Sequence, residues 1–253
     1  MFSERRSALE LAVEAGVTML RAGGEIGRVE DTIGHMARAF DVRQVNAYAT
    51  PTGIIVTGET GDGDSHTLVR RVPSVSNDLS IVAAVNDLSR RCARRQLTLQ
   101  AAWDELQTIK HGPAPYAPVI LVGAAGIAAA TAANLFGGSV YDMLGAGISG
   151  IIVQFAMLII AKRVDGVFAR SWAGGALAAC CALLLHRLFP QVTVDYSIAG
   201  AIIPLVPGVA ITNALRDIIG GQLVSGVARA AEAAAIGIAV AAGVGIVLSI
   251  ISL

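Results

Sequence analysis

The sequence is poor in charged and aromatic residues and has few cysteines. Charged residues make up 15% of its 253 residues and aromatic residues 5%, and the formal net charge at pH 7 is zero. Because nucleic-acid binding needs a basic surface, a neutral chain is not expected to bind DNA or RNA. Cys92, Cys180 and Cys181 have no spacing typical of a disulfide framework or a zinc site, so we predict no disulfide, metal or other cofactor.

A cleavable leader is also not expected. The first ten residues, MFSERRSALE, contain charges that no apolar run follows, whereas a secretory signal needs such a run. Apolar residues, in contrast, are abundant: they make up 54% of the chain, and the mean hydropathy is +0.64. This hydropathy is too high for an ordinary soluble domain and predicts a membrane protein.

Charge divides the chain into two parts. Residues 1–112 contain 13 Lys and Arg and 14 Asp and Glu, whereas residues 113–253 contain only 6 and 5. The boundary follows His111, where three closely spaced prolines end any preceding helix. We therefore predict an N-terminal α+β cytoplasmic domain over 1–112 and an α-helical polytopic membrane domain over 113–253.

The membrane part contains five stretches apolar enough to cross a bilayer, which needs about 20 residues per helix. The predicted spans are 119–136, 143–161, 173–188, 197–219 and 233–253. Lys and Arg cluster before the first span and in the loops after the second and fourth, which predicts a cytoplasmic N-terminus. Frequent glycine, alanine and serine favour close helix packing. Because five is an odd number, we expect partner helices from another chain or a second copy.

The fourth predicted span contains AIIPLVPGVAITNALRD, which includes helix breakers. Pro204 and Pro207 each remove a backbone donor, and Gly208 permits a backbone conformation that other residues avoid. This pattern is typical of a discontinuous helix, and transporters use the exposed N–H groups of such half-helices to bind anionic groups. We therefore predict a substrate site formed by Pro204, Pro207, Gly208, Thr212 and Asn213.

Several polar residues lie in or beside the spans. Asn213 and Asp217 share one helix face, as do Thr212 and Arg216. Arg216 and Asp217 have two interpretations: they form a cytoplasmic gate, or they mark the end of the fourth span and lie in water. Glu232, near the start of the fifth span, is a candidate proton carrier. Further polar residues at membrane depth are Asn134 and Gln154.

Residues 1–112 contain helical and strand patterns. The predicted helices are RRSALELAVEAGVTMLRAG, GRVEDTIGHMARAF, a third capped by Asn77, and a fourth capped by Thr98 that ends at Gly112. The predicted strands are RQVNAYAT, GIIVTGE and HTLVRRV, joined by turns at Pro51 and in a Gly-Asp-Gly-Asp segment. That segment brings Asp62 near His66 in sequence, but a hairpin turn explains it, and no nucleophile elbow is present. We predict no enzyme activity.

Four segments together resemble a known family. They are GGEIGRVEDTI, ATPTGIIVT, LVRRVPSVSNDLSIVAAVNDLSR and AGAIIPLVPGVAITNALRDIIGGQLVSGVARAAEA. With them, almost the entire chain resembles the threonine/serine exporter family, and in particular its short bacterial form with a cytoplasmic domain and five spans. The resemblance implies a multi-pass protein of the bacterial inner membrane that exports threonine and serine or a dicarboxylate such as succinate. It also implies a second small membrane protein that supplies the other transporter half.

Three functional hypotheses follow. The first is an exporter subunit driven by the proton gradient, with alternating access around the broken span. The chain lacks a G-x-x-x-x-G-K-[ST] motif, so direct drive by ATP is not expected. The second is a regulatory or scaffolding subunit whose cytoplasmic domain senses a ligand. The third is a membrane-anchored hydrolase using Asp62 and His66, although five spans with a break exceed what an anchor requires.

Overall fold

The computed structural model of the protein describes residues 2–59, 64–73, 75–113 and 116–251. Contacts between residues divide the chain into two compact units. The first comprises Met1–Pro113 and Val209–Ala230, and the second comprises Ala114–Gly208 and Ala231–Leu253. The predicted domain limits at 112 and 113 remain a prediction. The segment Val209–Ala230, which the sequence prediction assigned to the membrane domain, packs with the N-terminal residues.

The N-terminal residues of the first unit form helices around a small sheet. The helices and strands of the described residues up to 113 are α1 (Phe2–Arg21), α2 (Ile26–Ala39), β1 (Arg43–Thr50), β2 (Gly53–Glu59), β3 (Ser65–Arg71), α3 (Leu79–Ala93) and α4 (Leu99–His111). The strands are antiparallel in the order β1-β2-β3, and Tyr48 pairs with Ile55, which pairs with Val69. Each of these elements lies within three residues of its predicted position.

The core of the first unit lies between the helices and one face of the sheet. Leu9 and Leu20 on α1 and Ile33 on α2 are fully buried. Ile54, on β2, is buried on the same side, while its strand neighbour Ile55 is exposed because successive strand residues face opposite sides. Burying one such side chain stabilises the fold by roughly 1.5–3 kcal/mol.

One predicted helix cap is wrong and another is confirmed. The carboxylate of Asp78, not the side chain of Asn77, accepts the N–H groups of Ser80 and Ile81. The helix begins at Leu79, so Asp78 occupies the position from which a side chain reaches the second and third free N–H groups. Thr98 caps α4 as predicted and accepts the N–H of Ala101 at 3.3 Å. The second predicted turn, with Asp62, lies outside the described residues.

The remaining helices are α5 (Pro118–Leu135), α6 (Val140–Ile160), α7 (Val167–Leu188), α8 (Val194–Ala201), α9 (Gly208–Ile219) and α10 (Leu223–Ile251). Of the described residues, α5, α6, α7 and α10 are long and apolar enough to cross a membrane. A fifth candidate span results if α8 and α9 are taken as one span with a break. This is the architecture of a polytopic helical membrane protein.

Two helices begin well before the spans predicted for them, by six and ten residues. Helix α7 begins at Val167 rather than at 173, and α10 begins at Leu223 rather than at 233. Gly221, with φ of +83°, ends the preceding turn, and the alanine-rich segment after it favours a helix although it contains charged residues. Glu232 therefore lies inside α10, where it is exposed, rather than near a helix start.

Small residues permit close packing in the second unit, as the composition of the spans predicts. A Cβ added at Gly243 on α10 would overlap the carbonyl oxygen of Trp172 on α7, and one at Gly175 would overlap the carbonyl oxygen of Val240. The two helix backbones therefore touch where glycine leaves room, as is usual for helices without a hydrophobic driving force between them.

The variant Gly243→Ala tests this packing. Its added methyl group meets backbone atoms of α7, which cannot turn away as a side chain can. We expect the free energy of unfolding to fall by about 1–3 kcal/mol. Gly245→Ala on the same helix is the matched control, because a Cβ there meets no atom within 4 Å. Thermal unfolding of the detergent-purified protein measures both, and equal melting temperatures would contradict the packing.

Candidate functional site

The predicted break in the fourth span is present. Pro204 lies in a 3-10 turn, Ile203–Leu205, and the next residue, Val206, is extended with φ of −68° and ψ of 130°. The proline ring of Pro207 disfavours a helical conformation at the residue before it, which explains why the chain extends there. Helix α9 then begins at Gly208, whose N–H bonds to the carbonyl of Val206 at 2.8 Å.

The predicted reason for glycine at position 208 is wrong. Gly208 does not adopt a positive φ, unlike Gly23, Gly137, Gly166 and Gly221. A Cβ at Gly208 would meet no atom within 4 Å. Neither a special backbone conformation nor a close neighbour therefore explains this glycine. The break depends on the prolines, which lack a donor and restrict the residues before them.

Asn213 and Asp217 lie on one face of α9, as predicted, and both are buried in the first unit. Their partners belong to residues 22–25, which we call the α1–α2 loop, and to the first residue of α2. The Asn213 side chain donates to the Gly23 carbonyl at 2.8 Å. The Asp217 carboxylate accepts the N–H of Ile26 at 3.0 Å.

Asp217 supplies a helix cap to α2 from a distant part of the chain. The residue at the cap position itself, Glu25, accepts no hydrogen bond from the backbone N–H groups at the start of α2. The first N–H groups of a helix lack partners within the helix and carry a partial positive charge. A carboxylate beside Ile26 therefore accepts a hydrogen bond from one of these N–H groups and also interacts favourably with the dipole of α2.

Arg229, in the first turns of α10, completes the same cluster. Its side chain is 7% exposed; one guanidinium nitrogen donates to the Gly24 carbonyl at 2.8 Å and another lies 3.5 Å from the Asp217 carboxylate. The Gly23 and Gly24 carbonyls follow the end of α1, where the helix offers them no donor. The α1–α2 loop therefore depends on these side chains for hydrogen bonds. Gly23 has φ of +90°, a conformation that favours glycine.

A second, more exposed set of polar contacts surrounds this cluster. Arg216, 60% exposed, lies 3.6 Å from the Glu25 carboxylate, which also binds Arg28 at 2.9 Å. Glu30 accepts hydrogen bonds from Gln222 and from the N–H of Ala49, both at 2.8 Å. Exposed ion pairs contribute little stability, so the Arg216–Glu25 contact is easily broken and remade.

The other predicted site residues are distributed over both units. Pro204, Pro207 and Gly208 belong to the second unit, as do Asn134, Gln154 and Glu232, whereas Thr212 belongs to the first. Asn134, Thr212 and Glu232 are exposed, and Gln154 is half-buried. In the part of the chain that the structure describes, no group of three or more His, Cys, Asp or Glu side chains could hold a metal ion.

Sequence reasoning missed the loop that the polar face of α9 binds. Gly23, Gly24 and Ile26 offer only backbone groups, which no residue pattern identifies as partners of Asn213, Asp217 and Arg229. One signal was present, because GGEIGRVEDTI and the segment from Asn213 to Arg229 both belong to the sequence resemblance described above.

The fold and the comparisons together define a class and a family. Several helices that are long and apolar enough to cross a membrane define a multi-pass membrane protein. The profile described as "Putative threonine/serine exporter" matches residues 10–251. The chain therefore belongs to the threonine/serine exporter family, as the resemblance indicates.

Two curated relatives differ in length. A Mycobacterium tuberculosis protein named "Probable threonine/serine exporter" is 27% identical over 232 residues, and the match covers 90% of this chain but 43% of that protein. A Klebsiella aerogenes protein named "Probable succinate transporter subunit YjjP" is 23% identical over 251 residues, covering 96% of this chain and 93% of that protein. No solved structure matches the chain.

Asp217→Asn is expected to destabilise the protein strongly. The change leaves the buried Arg229 guanidinium without its counter-charge, and breaking one partner of a buried ion pair costs about 3–5 kcal/mol. Arg216→Gln, one residue earlier and 60% exposed, is the matched control and should cost less than about 1 kcal/mol. Thermal unfolding compares them, and a small effect of Asp217→Asn would contradict the role given to the buried pair.

Glu30 makes stability depend on pH. Burial raises its pKa above the ordinary value of 4.5, and the nearby Asp31 and Asp217 carboxylates raise it further, although hydrogen bonds from Ala49 and Gln222 oppose this. The folded protein therefore holds the Glu30 proton more tightly than the unfolded chain does. The stability that Glu30 contributes should fall as pH rises from its ordinary value through its raised value, then level off.

Glu30→Gln isolates this effect, because the amide cannot ionise. Melting temperatures from pH 4 to 8 should fall less steeply in Glu30→Gln than in the natural protein over the lower part of that range. Identical pH profiles would show that Glu30 titrates alike in the folded and unfolded chains.

Proposed function

We propose that the chain is one subunit of an exporter in a bacterial inner membrane. The transported molecule is a small polar metabolite with a carboxylate, either threonine or serine or a dicarboxylate such as succinate, and the proton gradient drives its export. Membership of the exporter family over residues 10–251 supports export, and the names of the two relatives supply the substrate classes.

The observation that carries the proposal of a site is the break between Leu205 and Gly208. The N–H groups in the first turn of a helix that restarts inside an apolar chain lack acceptors within that helix, and they form the positive end of its dipole. Those groups suit a carboxylate, which all three candidate substrates contain. In this proposal Pro204 and Pro207 keep the break open and Gly208 begins α9, whereas Asn213 has a structural role through its hydrogen bond to the Gly23 carbonyl.

The gate is assigned to the exposed contact between Arg216 and Glu25. This pair is weak enough to open and close, and it joins α9 to the residue before α2. Asp217 is the next residue of α9, but its buried contacts with Ile26 and Arg229 give it a structural role. Glu232, exposed on α10, is proposed to carry the coupled proton.

A second membrane protein, or a second copy of this chain, completes the transporter in this proposal. The chain spans 43% of the length of the Mycobacterium tuberculosis relative and 93% of the relative named as a subunit. The match therefore leaves more than half of the longer relative uncovered. The N-terminus lies in the cytoplasm in the proposed orientation.

Counterflow into liposomes tests the proposed function. Vesicles containing the chain together with its separately encoded partner should exchange labelled threonine, serine or succinate, whereas vesicles with either protein alone should not. Exchange by no combination would refute the exporter proposal. Partner-only exchange that this chain merely modulates would establish the regulatory alternative in its place.

Pro207→Ala tests the substrate site in the same assay. Alanine restores the backbone donor and allows the helices to join, so the N–H groups offered to the substrate become bonded within the helix. Losing one charge-assisted hydrogen bond corresponds to a roughly tenfold lower exchange. Gly237→Ala is the control, since a Cβ there meets no atom within 4 Å. Equal exchange by both variants would contradict the assignment of the substrate site.

A further inference from the structure

A cavity of about 670 Å³ opens on the first unit, beside the polar contacts of α9. Its walls come from α2, from the C-terminal end of α3, and from the segment between Arg216 and Gln222. This volume lies within the range of small-molecule sites, which is roughly 300–1,000 Å³. The cavity therefore has room for a metabolite, and it contains none of the residues from the break at Pro204–Gly208.

The charged side chains of the cavity fall into two groups. Arg28 and Arg216 both approach the Glu25 carboxylate, which offsets one of their two positive charges. Arg90 and Arg94, in contrast, form no ion pair with any residue that the structure describes, and the same holds for Asp31. The cavity thus presents two cationic groups and one anionic group that are exposed and have no ion-pair partner among the described residues.

The two uncompensated arginines are suited to a shared anion. Arg90 lies in the last turn of α3 and Arg94 directly follows it, four residues later, so both side chains are on one side of the helix end. Two like charges at this spacing repel each other, and a carboxylate between them removes the repulsion. Guanidinium groups bind carboxylates through paired N–H donors, which makes such contacts both strong and directional.

Asp217 also lines the cavity, but its charge is paired within the protein. One oxygen of its carboxylate is closed to solvent and lies 3.5 Å from the Arg229 guanidinium. The groups that an occupant can reach are therefore exposed side chains, among them Asp31, Arg90 and Arg94.

We propose that this cavity is a binding site for a small carboxylate-containing metabolite, held by Arg90 and Arg94 and separate from the transport site at the helix break. The proposal rests on the proposed function only for the choice of probes, which are threonine, serine and succinate. If the ligand is an amino acid, its ammonium group pairs with Asp31. If it is a dicarboxylate, Asp31 repels the second carboxylate.

Occupancy of this site bears on the arrangement of α9. Arg216, Asp217 and Gln222 line the cavity and also hold α9 and the turn after it against α2. A ligand that binds this arrangement stabilises it by mass action. The site therefore lets the concentration of a metabolite regulate the segment that contains the proposed gate.

Equilibrium binding to the detergent-purified full chain tests the site. Labelled threonine, serine and succinate are each titrated, and at least one should bind saturably. The double variant Arg90→Gln/Arg94→Gln should weaken that binding about tenfold or more, because each lost guanidinium contact corresponds to roughly that factor. Arg71→Gln, an exposed arginine on β3 outside the cavity, is the matched control and should bind as the natural protein does.

Asp31→Asn distinguishes the two ligand types. It should weaken binding of threonine or serine, or strengthen binding of succinate, and either result supports the site. Three outcomes overturn it: no saturable binding of any probe, binding that the double arginine variant leaves unchanged, or binding of every probe that Asp31→Asn leaves unchanged.

Counterflow separates this inference from the proposed function. Export that persists while the chain shows no cavity binding refutes the inference and leaves the exporter proposal standing. Binding that depends on Arg90 and Arg94 in a chain that supports no counterflow refutes the exporter proposal and leaves the inference standing.

Discussion

Asp217 and Arg229 are charged side chains that the folded chain buries together, and they bind backbone groups of Ile26 and of the α1–α2 loop, respectively. Burying two charges costs several kcal/mol unless hydrogen bonds accompany the ion pair. The Asp217 carboxylate meets this condition by capping α2, and the Arg229 guanidinium meets it at the Gly24 carbonyl. The same contacts satisfy polar groups of the loop that neither α1 nor α2 can bond. The N-terminal residues therefore reach their full set of hydrogen bonds only with the segment Val209–Ala230 in place.

This constraint gives the break in the fourth span a structural meaning beside its proposed role in binding. The chain passes from the second unit to the first at Gly208, directly after Val206 and Pro207. Because proline cannot donate to the preceding turn, the segments on its two sides can take independent directions. Helix α9 then buries Asn213, Ala214 and Asp217 and leaves Ile211 and Leu215 exposed on other faces. One helix thus carries both a polar face that binds the loop and an apolar face suited to lipid or a partner.

Much of the local structure follows from residue patterns. The spans, the strands, the Thr98 cap and the interruption at Pro207 all depend on short-range chemistry, such as apolar periodicity or a missing donor. Errors arose where a boundary depends on one residue or on helix propensity outweighing charge. Asp78 instead of Asn77 caps α3, and α10 begins at Leu223 because alanine-rich sequence continues a helix past Arg229 and Glu232. Of the candidate site, the shared face of Asn213 and Asp217 was predictable, whereas its partners were not.

The sequence by itself determined that this chain is a membrane protein of the threonine/serine exporter family with an interrupted helix, because hydropathy, proline chemistry and the family motifs are properties of contiguous residues. Only the tertiary structure decided what the polar residues after the break bind. Ile26 and Asp217 are separated by 191 residues, and Gly24 and Arg229 by 205. The loop contributes backbone N–H and carbonyl groups, which every residue except proline has, so no pattern of side chains marks them as partners. Folding alone selects which of these identical groups meets the buried charges.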